Sequence, residues 1–169
     1  MDEFDAIDDH FARHARLLTD DAAARLGALR SCTFFEPVPD EWLQRISAMA
    51  QIRTFHSDVR ITSQDDGMKA FYVILYGTAE AYRNGKVVGT IETGDCFGEG
   101  IFFTDGTLTT SATVIADDKI IAAEFSQPVI EALQADPQVM VSLDKALLLA
   151  LFKKLKGANQ KIERLMLMR

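Results

Sequence analysis

The stretch GDCFGEGIFFTDGTLTTSATV, residues 94–114, looks like a loop that holds an anion, yet it contains neither lysine nor arginine. Its glycines let the backbone approach a ligand closely. N–H groups at the start of a helix in such a loop would favour negative charge. What this loop binds without a cation is the main functional question that the sequence raises.

The composition is typical of one globular domain with a hydrophobic core. The chain has 169 residues, of which 48% are hydrophobic and 25% are charged. The formal net charge is −7. A nucleic-acid backbone or an anionic membrane surface would repel such a chain at long range, so neither is an expected partner.

The terminal and cysteine patterns indicate a cytoplasmic protein. The start, MDEFDAIDDHFARHARLL, is acidic and lacks the basic and apolar regions of a secretory signal. The longest apolar run, residues 146–152, is far shorter than the roughly 20 residues that cross a bilayer. Cys32 and Cys96 have no metal-ligand spacing, which favours free thiols in a reducing compartment.

Helical spacing of apolar residues predicts three helices before residue 51. The first carries Phe4, Ile7, Phe11 and Leu18. The second runs from Ala22 to Leu29 after the capping residues Thr19, Asp20 and Asp21. The third carries Trp42, Leu43, Ile46 and Met49, with Asp40 as its cap. The segment FFEPVP, residues 34–39, is predicted to be a linker.

Residues 51–125 are predicted to form a β region, because short β-rich runs alternate with turn pairs. The runs are IRTF, VRITS, AFYVILY, TAEAY, KVVGTI, ATVIA and KIIAAEF. The turns are Asp66-Gly67, Asn84-Gly85, Gly94-Asp95, Asp105-Gly106 and Asp117-Asp118. This pattern is typical of a sandwich or barrel. Helical spacing then returns, first after Ser126 and Pro128 and again after Asp136 and Pro137.

The fragments LRSCTFFEPVPDEWLQRI, FYVILYGTAEAY, TGDCFGE and SATV follow one another along the chain. In order and approximate spacing they resemble the cyclic-nucleotide-binding domain family of the catabolite activator protein and the protein kinase A regulatory subunit. The resemblance implies a mainly β fold with flanking helices: a jelly-roll-like β barrel, N-terminal helices and a long C-terminal helix. It divides the chain into a helical extension (1–28), the β roll with flanking helices (29–137) and a lid or dimerisation helix (138–169).

The resemblance also implies a phosphate-binding cassette that holds the ribose and the cyclic phosphate. Gly98 would offer backbone contact, Glu99 would accept a hydrogen bond from the ribose hydroxyl, and Ser111 would present its N–H to the phosphate. The expected ligand-binding residues are Phe97, Gly98, Glu99, Gly100, Thr109, Thr110 and Ser111. The candidate ligand is a cyclic nucleotide, cAMP or cGMP, with no cofactor and no metal.

The cassette departs from the family at the position of its phosphate-pairing arginine, which is Thr110 here. No arginine occurs between Arg83 and Arg164, and Lys86 and Lys119 are expected on other strands. A charge-assisted hydrogen bond contributes roughly 1.5–3 kcal/mol. The loss of this bond predicts an affinity for a cyclic nucleotide that is about one to two orders of magnitude lower than with an arginine at this position.

Two hypotheses about the loop stay open. In the first, it binds a cyclic nucleotide weakly through the hydroxyls of Thr109, Thr110 and Ser111. In the second, the domain has lost the nucleotide, takes another ligand or none, and is an interaction or dimerisation module in which Glu99 caps or pairs within the fold. A second departure is Gly100, which replaces the family's usual leucine.

The sequence does not indicate an active site. His10 and His14 have a spacing that can place two imidazoles on one metal, but a solvated helix face is the favoured interpretation because no third ligand is identifiable nearby. Only His56 falls in the β region, which argues against a His-ligated cupin enzyme. No nucleophile–His–Asp arrangement is readable, so we predict a non-enzymatic protein.

The last predicted helix carries an apolar seam with alternating spacings of three and four: Leu148, Leu151, Leu155, Ala158, Ile162 and Leu165. Heptad spacing of this kind is typical of a helix that pairs with its twin. The resemblance implies that the helix covers the pocket and forms a parallel homodimer, and packing on its own β roll is the alternative. Gly157 would weaken the helix by up to about 1 kcal/mol relative to alanine.

The sequence ends at Arg169, where transcription factors of this family continue into a helix-turn-helix domain. We therefore expect no direct DNA binding. The expected output is dimerisation or contact with an effector protein, and residues 1–28 are the candidate partner surface.

Overall fold

Helices flank a β region on both sides in the computed structural model, which describes residues 3–104 and 107–168. The helices are α1 (Glu3–Asp20), α2 (Ala22–Arg30), α3 (Asp40–Met49), α4 (Gln127–Gln134) and α5 (Pro137–Leu167). The strands are β1 (Gln51–Phe55), β2 (Arg60–Thr62), β3 (Ala70–Tyr76), β4 (Ala79–Arg83), β5 (Lys86–Ile91), β6 (Cys96–Phe97), β7 (Thr113–Ala116) and β8 (Ile120–Ser126). Short 3₁₀ helices span Thr33–Phe35 and Glu99–Phe103. The predicted mainly β fold with flanking helices is confirmed.

The strands form two antiparallel sheets of four strands each. The first has the order β1-β8-β3-β6 and the second has the order β2-β7-β4-β5. Each of the seven predicted β-rich runs contributes a strand. The sequence analysis missed β6, because two residues are too few to show a periodic pattern. The predicted turn at Asp105-Gly106 lies outside the described residues.

Alternation along β3 explains why its sequence is apolar throughout. Ala70, Tyr72 and Ile74 face the second sheet and pack in a cluster with residues of β4 and β7. Phe71 and Val73 point the opposite way, into a core shared with the helices. Because β3 is buried on both faces, it lacks the polar positions of a half-exposed strand.

Carboxylates cap two of the predicted helices. Asp21 Oδ1 accepts hydrogen bonds from the first N–H groups of α2. Asp136 does the same for α5, where Pro137 holds the first helical position. The prediction for α3 was wrong, since Pro39 is the N-cap and Asp40 is the first helical residue.

The N-terminal helix packs against the β region. Thr19 and Asp20, predicted as caps of α2, belong to the last turn of α1. Phe11 and Leu18 are buried and pack with Ile121 of β8. The side chains of residues 4 and 7, predicted to lie on the same face, are outside the described part of the structure.

The segment 34–39, predicted to be a linker, is part of the core. Phe34, Phe35 and Val38 are buried, and the ring of Phe34 lies 5.1 Å from that of Phe71 on β3. Burial of these apolar side chains anchors the helical region to the first sheet. The aromatic residues of the segment determine where it lies.

The two halves of α5 have different surroundings. Val139, Leu143, Ala146 and Leu147 are buried against the core, whereas most of the helix after residue 147 is exposed on its outer face. The inner face of the second half passes over a cavity. Among the described residues, no helix combines the length and the apolar character that crossing a membrane requires.

Candidate ligand-binding site

A cavity of about 1640 Å³ lies between the cassette, the second sheet and α5. The seven predicted ligand-binding residues all line it: Phe97, Gly98, Glu99, Gly100, Thr109, Thr110 and Ser111. Apolar side chains contribute much of the remaining wall, among them Ile61, Val88 and Leu149. The structure thus brings the predicted residues together, and their contact with a ligand stays a prediction.

Gly98 makes the turn that leads from β6 into the second 3₁₀ helix. Its φ of 78° and ψ of 13° lie in the left-handed region. A Cβ at this position would lie 2.5 Å from the carbonyl oxygen of Ala70 on β3. Only glycine satisfies both conditions without strain, so the turn that positions Glu99 depends on this residue.

The Glu99 carboxylate already has a cationic partner. Its Oε1 lies 2.5 Å from Nζ of Lys154 on α5, and the Glu99 side chain is only 14% exposed. Lys154 also donates a hydrogen bond to the carbonyl oxygen of Cys96 at 3.0 Å. This pair joins the cassette to the helix that covers the cavity.

Thr110 occupies the predicted position on the cavity wall, and its backbone is held by a neighbouring loop. Its N–H donates to Asp66 O at 2.7 Å, and its carbonyl accepts from Asp65 N at 2.8 Å. Thr109 forms an isolated bridge with Gly67. Both threonines precede β7, which begins only at Thr113.

Met68 explains the space around Gly100. A Cβ on Gly100 would lie 2.8 Å from Met68 Sδ, so the methionine side chain fills the volume that a larger residue at position 100 would need. Met68 is not among the residues predicted for the site. The departure from the family's usual leucine is thus compensated by a residue on the β2–β3 loop.

The sequence profile of the cyclic nucleotide-binding domain matches residues 52–136, just over half of the chain. The chain belongs to the cyclic nucleotide-binding domain family. The match begins at the second residue of β1 and includes β2 to β8, α4 and the whole cassette.

Solved structures with the same fold include sensory and regulatory domains. The sensor domain of the transcriptional regulator DNR from Pseudomonas aeruginosa is 24% identical, with a TM-score of 0.60 over 84% of this chain and 93% of that chain. The regulatory domain of Toxoplasma gondii PKA, solved with cAMP, is 20% identical, with a TM-score of 0.62 over 75% of this chain and 49% of that chain. The c-di-GMP-responsive regulator CLP of Xanthomonas campestris is 17% identical, with a TM-score of 0.63 and coverages of 78% and 66%.

At these identities the likeness shows the fold alone. No curated protein matches the sequence.

This cyclic nucleotide-binding domain has lysines at its cavity that are not among the predicted ligand-binding residues. Lys145, Lys153, Lys154 and Lys161 of α5 all line the cavity. Lys86 and Lys119, the lysines nearest to the cassette in sequence, do not line the cavity. The signal that could have found the others is their recurrence at helical spacing on the face beside the apolar seam.

The two cysteines are buried and free. Burial raises the pKa of both the Cys32 and the Cys96 thiol to about 12. Although Cys96 borders the cavity, its thiol stays protonated at neutral pH and is a poor nucleophile. This agrees with a packing role for both residues.

The histidine pair lies away from the cavity, on α1. The rings of His10 and His14 are stacked with centroids 6.5 Å apart, and His14 lies near Tyr76. Within residues 3–104 and 107–168, no three His, Cys, Asp or Glu side chains come together as a potential metal site.

The apolar seam of α5 divides between the cavity and the solvent. Leu151 and Ala158 line the cavity, whereas Leu148, Leu155 and Ile162 are 65%, 60% and 55% exposed. Phe152, Leu165 and Met166 extend the exposed apolar surface on the outer side of the helix.

Proposed function

We propose that the protein is a non-enzymatic regulatory sensor whose cavity binds a cyclic nucleotide with reduced affinity. The observation that supports this most directly is the convergence of all seven cassette residues on one cavity beneath α5. Gly98 has a left-handed backbone conformation without a Cβ, and the Glu99 carboxylate on the cavity wall is able to accept a hydrogen bond from a ligand hydroxyl.

The reduced affinity follows from the charges of the cassette. Thr110 supplies a hydroxyl where the family has a guanidinium, and the cost is roughly 1.5–3 kcal/mol, or about one to two orders of magnitude in Kd. Glu99 adds to this cost, because a ligand hydroxyl must share the carboxylate with Lys154.

The size of the cavity leaves room for a larger ligand of the same class. Ligand pockets usually have volumes of about 300–1,000 Å³, and this one has about 1640 Å³. The related regulator from Xanthomonas campestris responds to c-di-GMP. A cyclic dinucleotide is therefore the second ligand to test beside cAMP and cGMP.

The alternative is an interaction module that has lost its nucleotide. The observation that favours it is the ion pair of Glu99 with Lys154, which gives the largely covered carboxylate a partner without any ligand. In this case the fold is retained for its surfaces, and the cavity has no signalling role.

Under either function, we propose that the exposed seam of α5 pairs with a second copy of the chain. Leu148, Leu155 and Ile162 present apolar surface in a heptad pattern that a parallel partner helix would bury. The output would then be dimerisation or contact with an effector protein in the cytoplasm. Direct DNA binding is not part of the proposal, because the net charge of −7 opposes it.

Calorimetric titration of the protein with cAMP, cGMP and c-di-GMP tests the proposed sensor. We expect saturable binding of at least one of them and a matching rise in thermal stability, which reaches about 2.7 kcal/mol when the free ligand is 100 times its Kd. Adenosine is the control, because it offers the nucleoside without the phosphate. Absence of heat and of a thermal shift at millimolar concentrations of all three would favour the interaction module.

A further inference from the structure

The cations at the cavity wall come from outside the cassette. Residues 94–114 contain none. Among the described residues, the basic side chains that line the cavity are Lys69 and the four lysines of α5. An anion in this cavity would therefore meet its positive partner mainly on the covering helix.

Two of the α5 lysines form hydrogen bonds with residues outside the 3₁₀ helix of the cassette. Lys153 Nζ lies 2.7 Å from Asp95 Oδ1, and this hydrogen bond raises the pKa of Lys153. Lys161 donates a hydrogen bond to the carbonyl oxygen of Val88 on β5. Both contacts hold α5 over the cavity at its two sides.

Lys154 lies between these two lysines and reaches the cassette itself. Its ammonium contacts Cys96 O before Gly98 and Glu99 Oε1 after it. An ammonium group has three hydrogens to donate, so one remains for a further acceptor in the cavity. At this location, the acceptor would lie beside the turn that the family uses to hold its ligand.

The charge of Glu99 makes this placement important. A bare carboxylate in the cassette would repel an anionic ligand, and Thr110 offers no charge to offset it. Lys154 compensates the carboxylate at 2.5 Å and keeps a donor for a second anion. One ammonium between two anionic groups lowers their mutual repulsion.

We infer that Lys154 binds the anionic group of the ligand, in place of the arginine that the family's cassette carries. The inference rests on the proposed function and names the residue that recognises the anion. Lysine acts as a point charge and does not form the bidentate contact of arginine. The site therefore accepts the anion with less geometric selectivity, and its cation belongs to α5 and not to the cassette.

The test compares Lys154→Met with Lys156→Met, a matched variant on the same helix whose side chain does not line the cavity. Calorimetric titration with cAMP and cGMP measures Kd for the wild type and both variants. We expect Lys154→Met to weaken binding roughly tenfold or more, from the loss of one charge-assisted contact. Lys156→Met is expected to keep the wild-type Kd.

Because Lys154→Met also leaves Glu99 without its cation, the same measurement is made on Glu99→Gln and on the double variant. If Lys154 contacts the anion, the double variant binds more weakly than Glu99→Gln alone. If the two have equal Kd values, Lys154 acts only by neutralising the carboxylate, and the inference is wrong.

Inorganic pyrophosphate separates this inference from the proposed function, because it carries the anion without the nucleoside. In one outcome, the wild type binds no cyclic nucleotide but is thermally stabilised by pyrophosphate, and Lys154→Met loses this stabilisation. That result would refute the cyclic-nucleotide sensor and support the anion site. If Lys154→Met binds cyclic nucleotides with the wild-type Kd, the anion site is refuted and the proposed sensor function is retained. If neither probe gives a response that depends on Lys154, the inference is wrong.

Discussion

The side chain of Met68 fills the space beside Gly100, where a Cβ would lie 2.8 Å from its Sδ atom. The two positions therefore share one volume, although Met68 lies on the β2–β3 loop and Gly100 in the second 3₁₀ helix. Since the contact involves the flexible end of a methionine, a small residue at position 100 can be accommodated more easily than a large one.

We expect Gly100→Leu to destabilise the fold by about 1–3 kcal/mol, because it overfills this volume. In the Met68→Ala background the same substitution should cost less, with a coupling free energy of about 0.5–3 kcal/mol. Urea unfolding of the four proteins measures this cycle. Additive effects of the two substitutions would show that the residues do not compete for the same space.

The turn at Gly98 gives a second prediction, about stability. Gly98→Ala should destabilise the protein by about 1–3 kcal/mol, because alanine would be strained at a φ of 78° and its Cβ would meet the Ala70 carbonyl oxygen. Gly27→Ala in α2 is the control, because nothing lies within 4 Å of its Cβ position. Alanine there should stabilise the helix by up to about 1 kcal/mol. Thermal unfolding measures the stability of both variants. Equal stabilities would contradict the strain expected for alanine at position 98.

All strands of this domain except β6 were predictable from local sequence, because β-rich runs and turn pairs alternate at short intervals. Phe97 to Gly100 and Thr109 to Ser111 could also be assigned to one site from the resemblance. Local patterns could not show that residues 34–39 are buried or that Met68 fills the space at Gly100. Both depend on packing between segments that are distant in the chain.

Lys154 was not predicted as a site residue for the same reason. Lys154 lies 55 residues after Glu99 in sequence, and only the path of α5 over the cassette brings the two together. Residues 94–114, which include Thr110, contain no lysine or arginine. The contact follows from the orientation of a helix, which the apolar seam alone does not determine.

The exposed seam of α5 leads to a prediction about assembly. Replacing Leu155 and Ile162 with lysine should convert a dimer to a monomer, because each chain would place two charges in an apolar contact. Gln160→Lys adds a positive charge outside the seam and should leave the dimer intact. Analytical ultracentrifugation measures the three proteins. A wild type that sediments as a monomer would refute the proposed dimer.

Thr110 provides the prediction that tests the cassette most directly. Its side chain lines the cavity, while its backbone is fixed by hydrogen bonds with Asp65 and Asp66. An arginine at this position can therefore project into the cavity without disturbing the loop. We expect Thr110→Arg to tighten cyclic nucleotide binding by roughly tenfold or more, from one bidentate charge-assisted contact.

The matched control for Thr110→Arg is Thr110→Gln, which adds length and hydrogen-bonding capacity without charge and should leave Kd close to the wild-type value. Glu99→Ala in the arginine background should then weaken binding, because the ribose hydroxyl loses its acceptor. Calorimetry gives the Kd of each protein, and circular dichroism checks that each is folded.

If Thr110→Arg folds normally and still binds no cyclic nucleotide at millimolar concentration, the missing charge is not what limits binding. The cavity would then have diverged from a nucleotide site at more than one residue, and the interaction module would replace the sensor as the proposed function.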